Sequence, residues 1–195
     1  MQNLLQIIAG IIGFITYCFL CFKILKSKAE QNFAAFLLWA ILSIITTITV
    51  SIEEGNYWLS LGNVLGETAI AILLIVKKKI AWKWIETLTA LLVIICLVIW
   101  FFAGEKAAIV SSSLATIIAS VPQMASTYKK PSQTPTGIYV SFLLANLLSL
   151  YAGKSWTIEE RFYPASAVVI CLVIAIFSIK AFYKPFGFRI IKKSS

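Results

Sequence analysis

Ile52-Glu53-Glu54-Gly55-Asn56-Tyr57 returns further along the chain as Ile158-Glu159-Glu160-Arg161-Phe162-Tyr163, a shift of 106 positions. The same shift aligns both ends of the sequence without a gap. Ala9, Ile11 and Ile12 fall on Ala115, Ile117 and Ile118; Phe36-Leu37-Leu38 on Phe142-Leu143-Leu144; and Leu42-Ser43 on Leu148-Ser149. Apolar matches arise by chance in a sequence rich in Ile and Leu. An Ile-Glu-Glu triplet followed by Tyr, read as an external loop both times, is much harder to obtain that way. The pattern is that of an internal duplication.

What is duplicated follows from composition. The 195 residues are 60% hydrophobic and 13% charged, against about 45–50% and about 25% in a soluble domain. The excess Ile, Leu, Val, Phe and Trp must face lipid or other helices. Windows of about 20 apolar residues predict spans near 4–22, 33–52, 58–76, 84–103, 107–127, 137–153 and 162–181. The first has no basic segment before it, so it does not read as a cleavable signal peptide.

The net charge of +9 is set by short basic clusters between these spans. Lys23, Lys26 and Lys28 follow the first, Lys77, Lys78, Lys79 and Lys83 the third, and Lys129 and Lys130 the fifth; Lys180, Lys184, Arg189, Lys192 and Lys193 follow the seventh. Only Lys106, Lys154 and Arg161 fall in the alternate loops, so fourteen of seventeen basic residues share one side. That side reads as the cytoplasm, with the N-terminus outside and the C-terminus inside. The charge therefore argues orientation and not nucleic-acid binding. Trp58, Trp82, Trp84, Trp100 and Trp156 stand near span ends, as an interfacial belt requires.

A repeat of three spans is an odd number, so direct fusion would invert the second copy. One further helix restores its direction, and the span near 84–103 is the one outside both copies. The expected fold is all-α and integral to the membrane, with seven transmembrane helices in two parallel three-helix bundles. Residues 1–79 form the first bundle, 80–106 carry the linker helix, and 107–195 form the second bundle with a basic tail. Parallel halves of this kind are related by an axis along the membrane normal, with the solute site near the midplane between them.

Several residues resemble those of the PQ-loop superfamily, which includes the SWEET sugar transporters. They are Val121-Pro122-Gln123, then Tyr128-Lys129-Lys130-Pro131-Ser132, Gly137 and Phe142-Leu143-Leu144. Gly62-Asn63-Val64-Leu65-Gly66-Glu67 is similar to the third SWEET helix, whose Asn contributes to the sugar pocket. The first copy has Thr16-Tyr17 where the second has Pro122-Gln123, and Val169 stands where the shift maps Asn63. The superfamily also contains lysosomal amino-acid transporters, some proton-coupled, and the KDEL receptor shares its architecture. The resemblance implies a carrier.

Candidate site residues come from polarity inside the spans. Glu67 lies mid-span, where a charged residue costs about 2.5–3.5 kcal/mol, so a bundle-facing task is expected: accepting hydrogen bonds from a solute, or carrying a coupled proton. The alternative is a carboxyl satisfied by nearby Ser and Thr. Asn63, one turn earlier, can face the same cavity and both donate and accept hydrogen bonds. Asn146, Ser149 and Gly153 form a polar stripe that is either pocket or interhelical seam; Trp39, Ser43, Thr46 and Thr47 form another, with the Trp39 indole available for stacking.

Pro122 bends its helix and suggests an inner hinge, with Gln123 bonding across the gap. Ser111, Ser112, Ser113, Thr116 and Ser120 either permit close packing or line the path. The pairs Glu53-Glu54 and Glu159-Glu160 read as solvated external loops, Glu86 as interfacial, and Lys192-Lys193 matches a dilysine retrieval signal.

There is no His or Asp, which removes common metal ligands and acid–base devices. Cys18-x-x-Cys21 has redox or zinc spacing, but on a lipid-embedded helix with no second ligand pair. No enzyme, metal or cofactor is expected. The expected function is transport of a small polar solute, sugar-like or amino-acid-like, bound by Asn63, Glu67, Asn146 and Trp39 and gated by Pro122 and Gln123. A receptor of the same fold, binding without transport, is the alternative. The bilayer is the second partner, and a homo-oligomer is compatible with the pattern. A bacterial inner membrane is the expected location, a eukaryotic endomembrane the alternative.

Overall fold

The computed structural model describes residues 1–80, 82 and 84–179. Lys83 and the basic residues at 180, 184, 189, 192 and 193, with the dilysine signal, lie outside these. Among the described residues the chain is helical: α1 (Gln2–Leu25), α2 (Phe33–Ile52), α3 (Trp58–Val76), α4 (Trp84–Ala119), α5 (Val121–Lys129), a 3₁₀ turn (Pro131–Gln133), α6 (Thr136–Tyr151) and α7 (Ile158–Ser178).

Five stretches are long and apolar enough to cross a membrane: Gln2–Leu25, Phe33–Ile52, Trp58–Val76, Val98–Lys129 and Ile158–Ser178. Their outward surfaces are aliphatic and aromatic, with Leu4, Ile11, Phe19, Ile44, Leu65 and Ile72 all exposed. Such surfaces are stable against lipid and costly against water. The molecule is consistent with a multi-pass membrane protein.

Local chemistry sets the helix ends. The Asn32 side chain accepts the Ala35 N–H and starts α2. Ser27, Glu54 and Lys78 adopt positive φ after α1, α2 and α3. The N–H groups of Lys28, Gly55 and Lys79 then return to the carbonyls of Lys23, Val50 and Leu74. This closure satisfies carbonyls that a helix end leaves free.

Gly104 interrupts α4 at φ 79° and ψ −175°. The Asn32 side chain donates to Glu86, and the Asn32 backbone N–H donates to Gln123. A straight helix from 86 to 123 would run roughly 55 Å at about 1.5 Å per residue. Both ends nevertheless meet one residue, so the chain reverses at Gly104. The left-handed conformation of the turn favours glycine.

The helices share two chemically distinct ends. At one, Glu30 pairs with Lys79 and Lys130, and Lys77 Nζ donates to the Leu25 carbonyl. At the other, Glu53 pairs with Lys106, and Glu160 is buried beside Gln6. Within this frame α3 packs against α1 and α2, and α7 against α6 and α4. Between these groups α1 lies on α6 and α2 on α4. The α1–α3 contact is close enough that a Cβ on Gly62 would stand 2.7 Å from the Gly10 carbonyl oxygen.

Three expectations are refined by the structure. The helix expected over 107–127 is interrupted at Ser120, where the bend expected of Pro122 falls, because Pro122 lacks an N–H and its ring opposes the carbonyl four residues back. It occupies the first turn of α5, where no intrahelical donor is needed. Second, Glu159 and Glu160 lie in the first turn of α7 and not in a loop. Glu160 is buried, accepting hydrogen bonds from Gln6 Nε2 at 2.9 Å and the Lys154 N–H at 3.1 Å, whereas Glu53 and Glu54 follow α2. Third, Glu86 is buried, in the first turn of α4.

Candidate functional site

Midway between the two ends, α1, α2, α3, α4, α6 and α7 converge on one cavity of about 40 Å³. That is room for roughly three waters, at about 10–15 Å³ each. All four expected binding residues, Trp39, Asn63, Glu67 and Asn146, line it. The wall is otherwise mainly aromatic, with Tyr17, Phe36, Tyr139, Phe142 and Tyr163.

Asn63 and Glu67 reach the cavity because they are one turn apart on the inner face of α3, and both are buried. Tyr17 Oη donates to Glu67 Oε1 at 3.0 Å. Asn63 Nδ2 donates to Tyr163 Oη at 2.7 Å, and that hydroxyl is 3.1 Å from Ser43 Oγ. Asn146 Nδ2 donates to the Phe142 carbonyl and to Cys171 Sγ. Glu67 Oε2 and Asn146 Oδ1 are buried with no hydrogen-bond partner. Tyr17, Ser43, Asn63 and Glu67 come from residues 1–79, whereas Tyr163, Asn146 and Cys171 come from elements after Gly104, so the chamber is built jointly.

Trp39 is held edge-on to Phe36, and its indole N–H donates to Ser120 Oγ. Thr46 and Ser112 share a hydrogen bond at 3.0 Å. Ser112 and Ser120 thus bond to α2, and Thr116 alone of the named residues of the serine-rich face lies in the cavity wall. Ser149 leaves the stripe that holds Asn146 and receives the Asn56 side chain instead.

Set against known protein families, characterised proteins and solved structures, the chain matches none. Its chemistry is therefore read from its own geometry.

Hydrogen bonds between early and late elements bracket the cavity. On the lysine-rich side, the buried Gln123 accepts the Asn32 N–H at 2.8 Å and donates to Thr127 Oγ1. Tyr139 Oη donates to Gln31 Oε1 at 2.6 Å, and the Glu30 N–H reaches the Gln133 carbonyl. On the acidic side, Gln6 Nε2 donates to the Ala152 carbonyl and Glu160, while Asn56 Nδ2 donates to both Ser149 oxygens. Gln123 therefore joins α5 to the start of α2, with Pro122 buried beside it at the start of α5.

Gln6, Tyr17, Asn56, Tyr139 and Tyr163 were not singled out as site residues. Gln6 and Tyr17 carried a signal: a polar group inside an apolar span. Asn56 carried none, because its role depends on Ser149 arriving from 93 positions away.

Replacing Gln123 by Leu removes the acceptor for the Asn32 N–H at the start of α2. An unsatisfied donor of this kind costs about 1–3 kcal/mol when buried, and this one is half-buried. A loss near 1 kcal/mol is expected for Gln123→Leu, read as a lowered midpoint in detergent-solubilised thermal unfolding.

Proposed function

We propose that this chain is a membrane carrier for a small polar solute, working by alternating access between two three-helix halves. The carrying observation is the mainly aromatic cavity into which Asn63, Glu67 and Asn146 project, walled by both halves and bracketed on each side by hydrogen bonds between them. A cavity of about 40 Å³ is a tight chamber, so solute entry requires one set of contacts to release. Inward hinging would break the Gln123–Asn32 and Tyr139–Gln31 bonds. Outward hinging would break the Gln6–Glu160 and Asn56–Ser149 bonds.

The duplication is supported by packing as well as by sequence. Shifting 106 positions carries α1 onto the part of α4 after Gly104, α2 onto α6 and α3 onto α7. The contacts α1–α3, α2–α3 and α1–α6 then become α4–α7, α6–α7 and α4–α2, each of which occurs. In this reading seven spans form a three-one-three arrangement with parallel halves. The lysine-rich end is cytoplasmic, which puts the N-terminus outside and the C-terminus inside. The PQ-loop and SWEET-like resemblance agrees with this layout, and a bacterial inner membrane remains the location it suggests.

Glu67 and Asn63 serve as the central solute contacts, Trp39 and Asn146 as walls, and Gln123 as an inner latch beside the Pro122 break. The test is flux of labelled solute into proteoliposomes. Saturable uptake or exchange is expected. A solute that binds the purified protein but never crosses would instead identify a receptor of the same fold.

A further inference from the structure

The polar groups of the chamber are unevenly satisfied. Among the described residues, most N–H and O–H groups in its wall already have a partner, the second amide hydrogen of Asn63 excepted. Tyr17 donates to Glu67, Trp39 to Ser120, Asn63 to Tyr163, Thr116 to the Ser112 carbonyl and Tyr139 to Gln31, while Asn146 donates to Phe142 and Cys171. The Tyr163 hydroxyl shares its bond with Ser43. Among the described residues of the wall, the buried atoms without a partner are Glu67 Oε2 and Asn146 Oδ1, the Glu67 carboxylate otherwise bonding to Ser43 and Tyr17, and neither Lys nor Arg lines the cavity.

A buried acceptor left empty costs about 1–3 kcal/mol, and more when charged. The chamber therefore holds more unmatched acceptors than unmatched donors, and no basic side chain among the described residues. A sugar hydroxyl brings an acceptor with every donor; an ammonium group brings three donors, a positive charge and no acceptor. The wall also includes the rings of Tyr17, Trp39, Tyr139 and Tyr163, a type of group whose face attracts a cation.

We propose that the solute carries a protonated primary amine, whose ammonium group donates to Glu67 Oε2 and Asn146 Oδ1 inside the aromatic chamber. This deepens the carrier reading and rests on it for transport, though the binding site stands independently.

The experiment measures binding of methylammonium, ethylammonium and 2-aminoethanol to the purified chain by calorimetry. Tetramethylammonium, a cation without N–H donors, and glycerol, which is neutral, serve as controls. The primary amines are expected to bind at least tenfold more tightly than either control. Glu67→Gln is expected to weaken amine binding at least tenfold, and Asn146→Ala severalfold, with each variant's thermal unfolding checked for a folded protein.

Should Glu67→Gln fail to fold, Asn146→Ala and the ranking of amines against tetramethylammonium decide the matter. No amine binding, or equal binding of tetramethylammonium or glycerol, overturns the proposal. Glycerol or sugar flux without amine binding would overturn it and leave the carrier reading intact. Amine binding without flux in proteoliposomes would uphold the site and overturn the carrier.

Discussion

Oxidising an Asn56→Cys, Ser149→Cys double variant is expected to stop solute flux completely, and reducing it to restore transport. Asn56 Nδ2 lies 3.0 Å from Ser149 Oγ, and both residues are buried on the acidic side of the chamber. A disulfide needs its Cβ atoms about 3.8 Å apart, so closing one here requires the two backbones to draw together from this hydrogen-bonded contact. The bond would hold the outer ends of the two halves together while leaving the Gln123–Asn32 and Tyr139–Gln31 contacts free to open. A carrier that cannot open outward cannot complete its cycle. The reduced double variant isolates the effect of the crosslink from that of the lost Asn56 hydrogen bonds. Full flux in protein shown by mass spectrometry to be crosslinked would rule out this motion.

The second large effect is on folding. Gly62→Val is expected to prevent recovery of a monodisperse protein, or to lower its unfolding midpoint by roughly 10 °C. A Cβ there would stand 2.7 Å from the Gly10 carbonyl oxygen, and a Cβ on Gly10 would stand 2.5 Å from the Trp58 carbonyl oxygen. Both obstacles are backbone, so no rotamer change relieves them. Overpacking of this kind costs about 1–3 kcal/mol, and more where the backbone must move. Each kcal/mol corresponds to about 2–4 °C in soluble chains of this length. Gly137→Ala is the control, since a Cβ there meets nothing within 4 Å; its midpoint is expected to stay within a few degrees. A Gly62→Val protein as stable as the parent would contradict the packing of α1 on α3.

Membrane character was legible because lipid-facing residues advertise themselves by composition. Glu67 and Asn63 were legible because burying such groups in an apolar span demands a reason, and the cavity supplies it. Glu160 was misread for an instructive cause. Its repeat mate Glu54 follows a helix, and sequence similarity suggested a shared loop. The second copy instead begins its helix at Ile158, and Gln6 arrives from α1 to satisfy the carboxylate. The close approach of α1 and α3 also had a signal, Gly62 and Gly66 four residues apart, a spacing that lets helices touch backbone to backbone. Contacts such as Asn56–Ser149 and Tyr139–Gln31 had no local signature. They join residues 93 and 108 positions apart, and only the folded arrangement brings them together.

The reversal at Gly104 bears on how the chain is made. With a single residue at the apex and only Glu105 and Lys106 charged nearby, almost no hydrophilic mass must be carried across the bilayer there. In the proposed orientation the stretch from Trp84 to Ser120 enters as one hairpin during synthesis. A bulky insertion at the apex should leave it stranded on the cytoplasmic side. The second half's direction is then decided at translocation, before α6 and α7 have emerged from the ribosome.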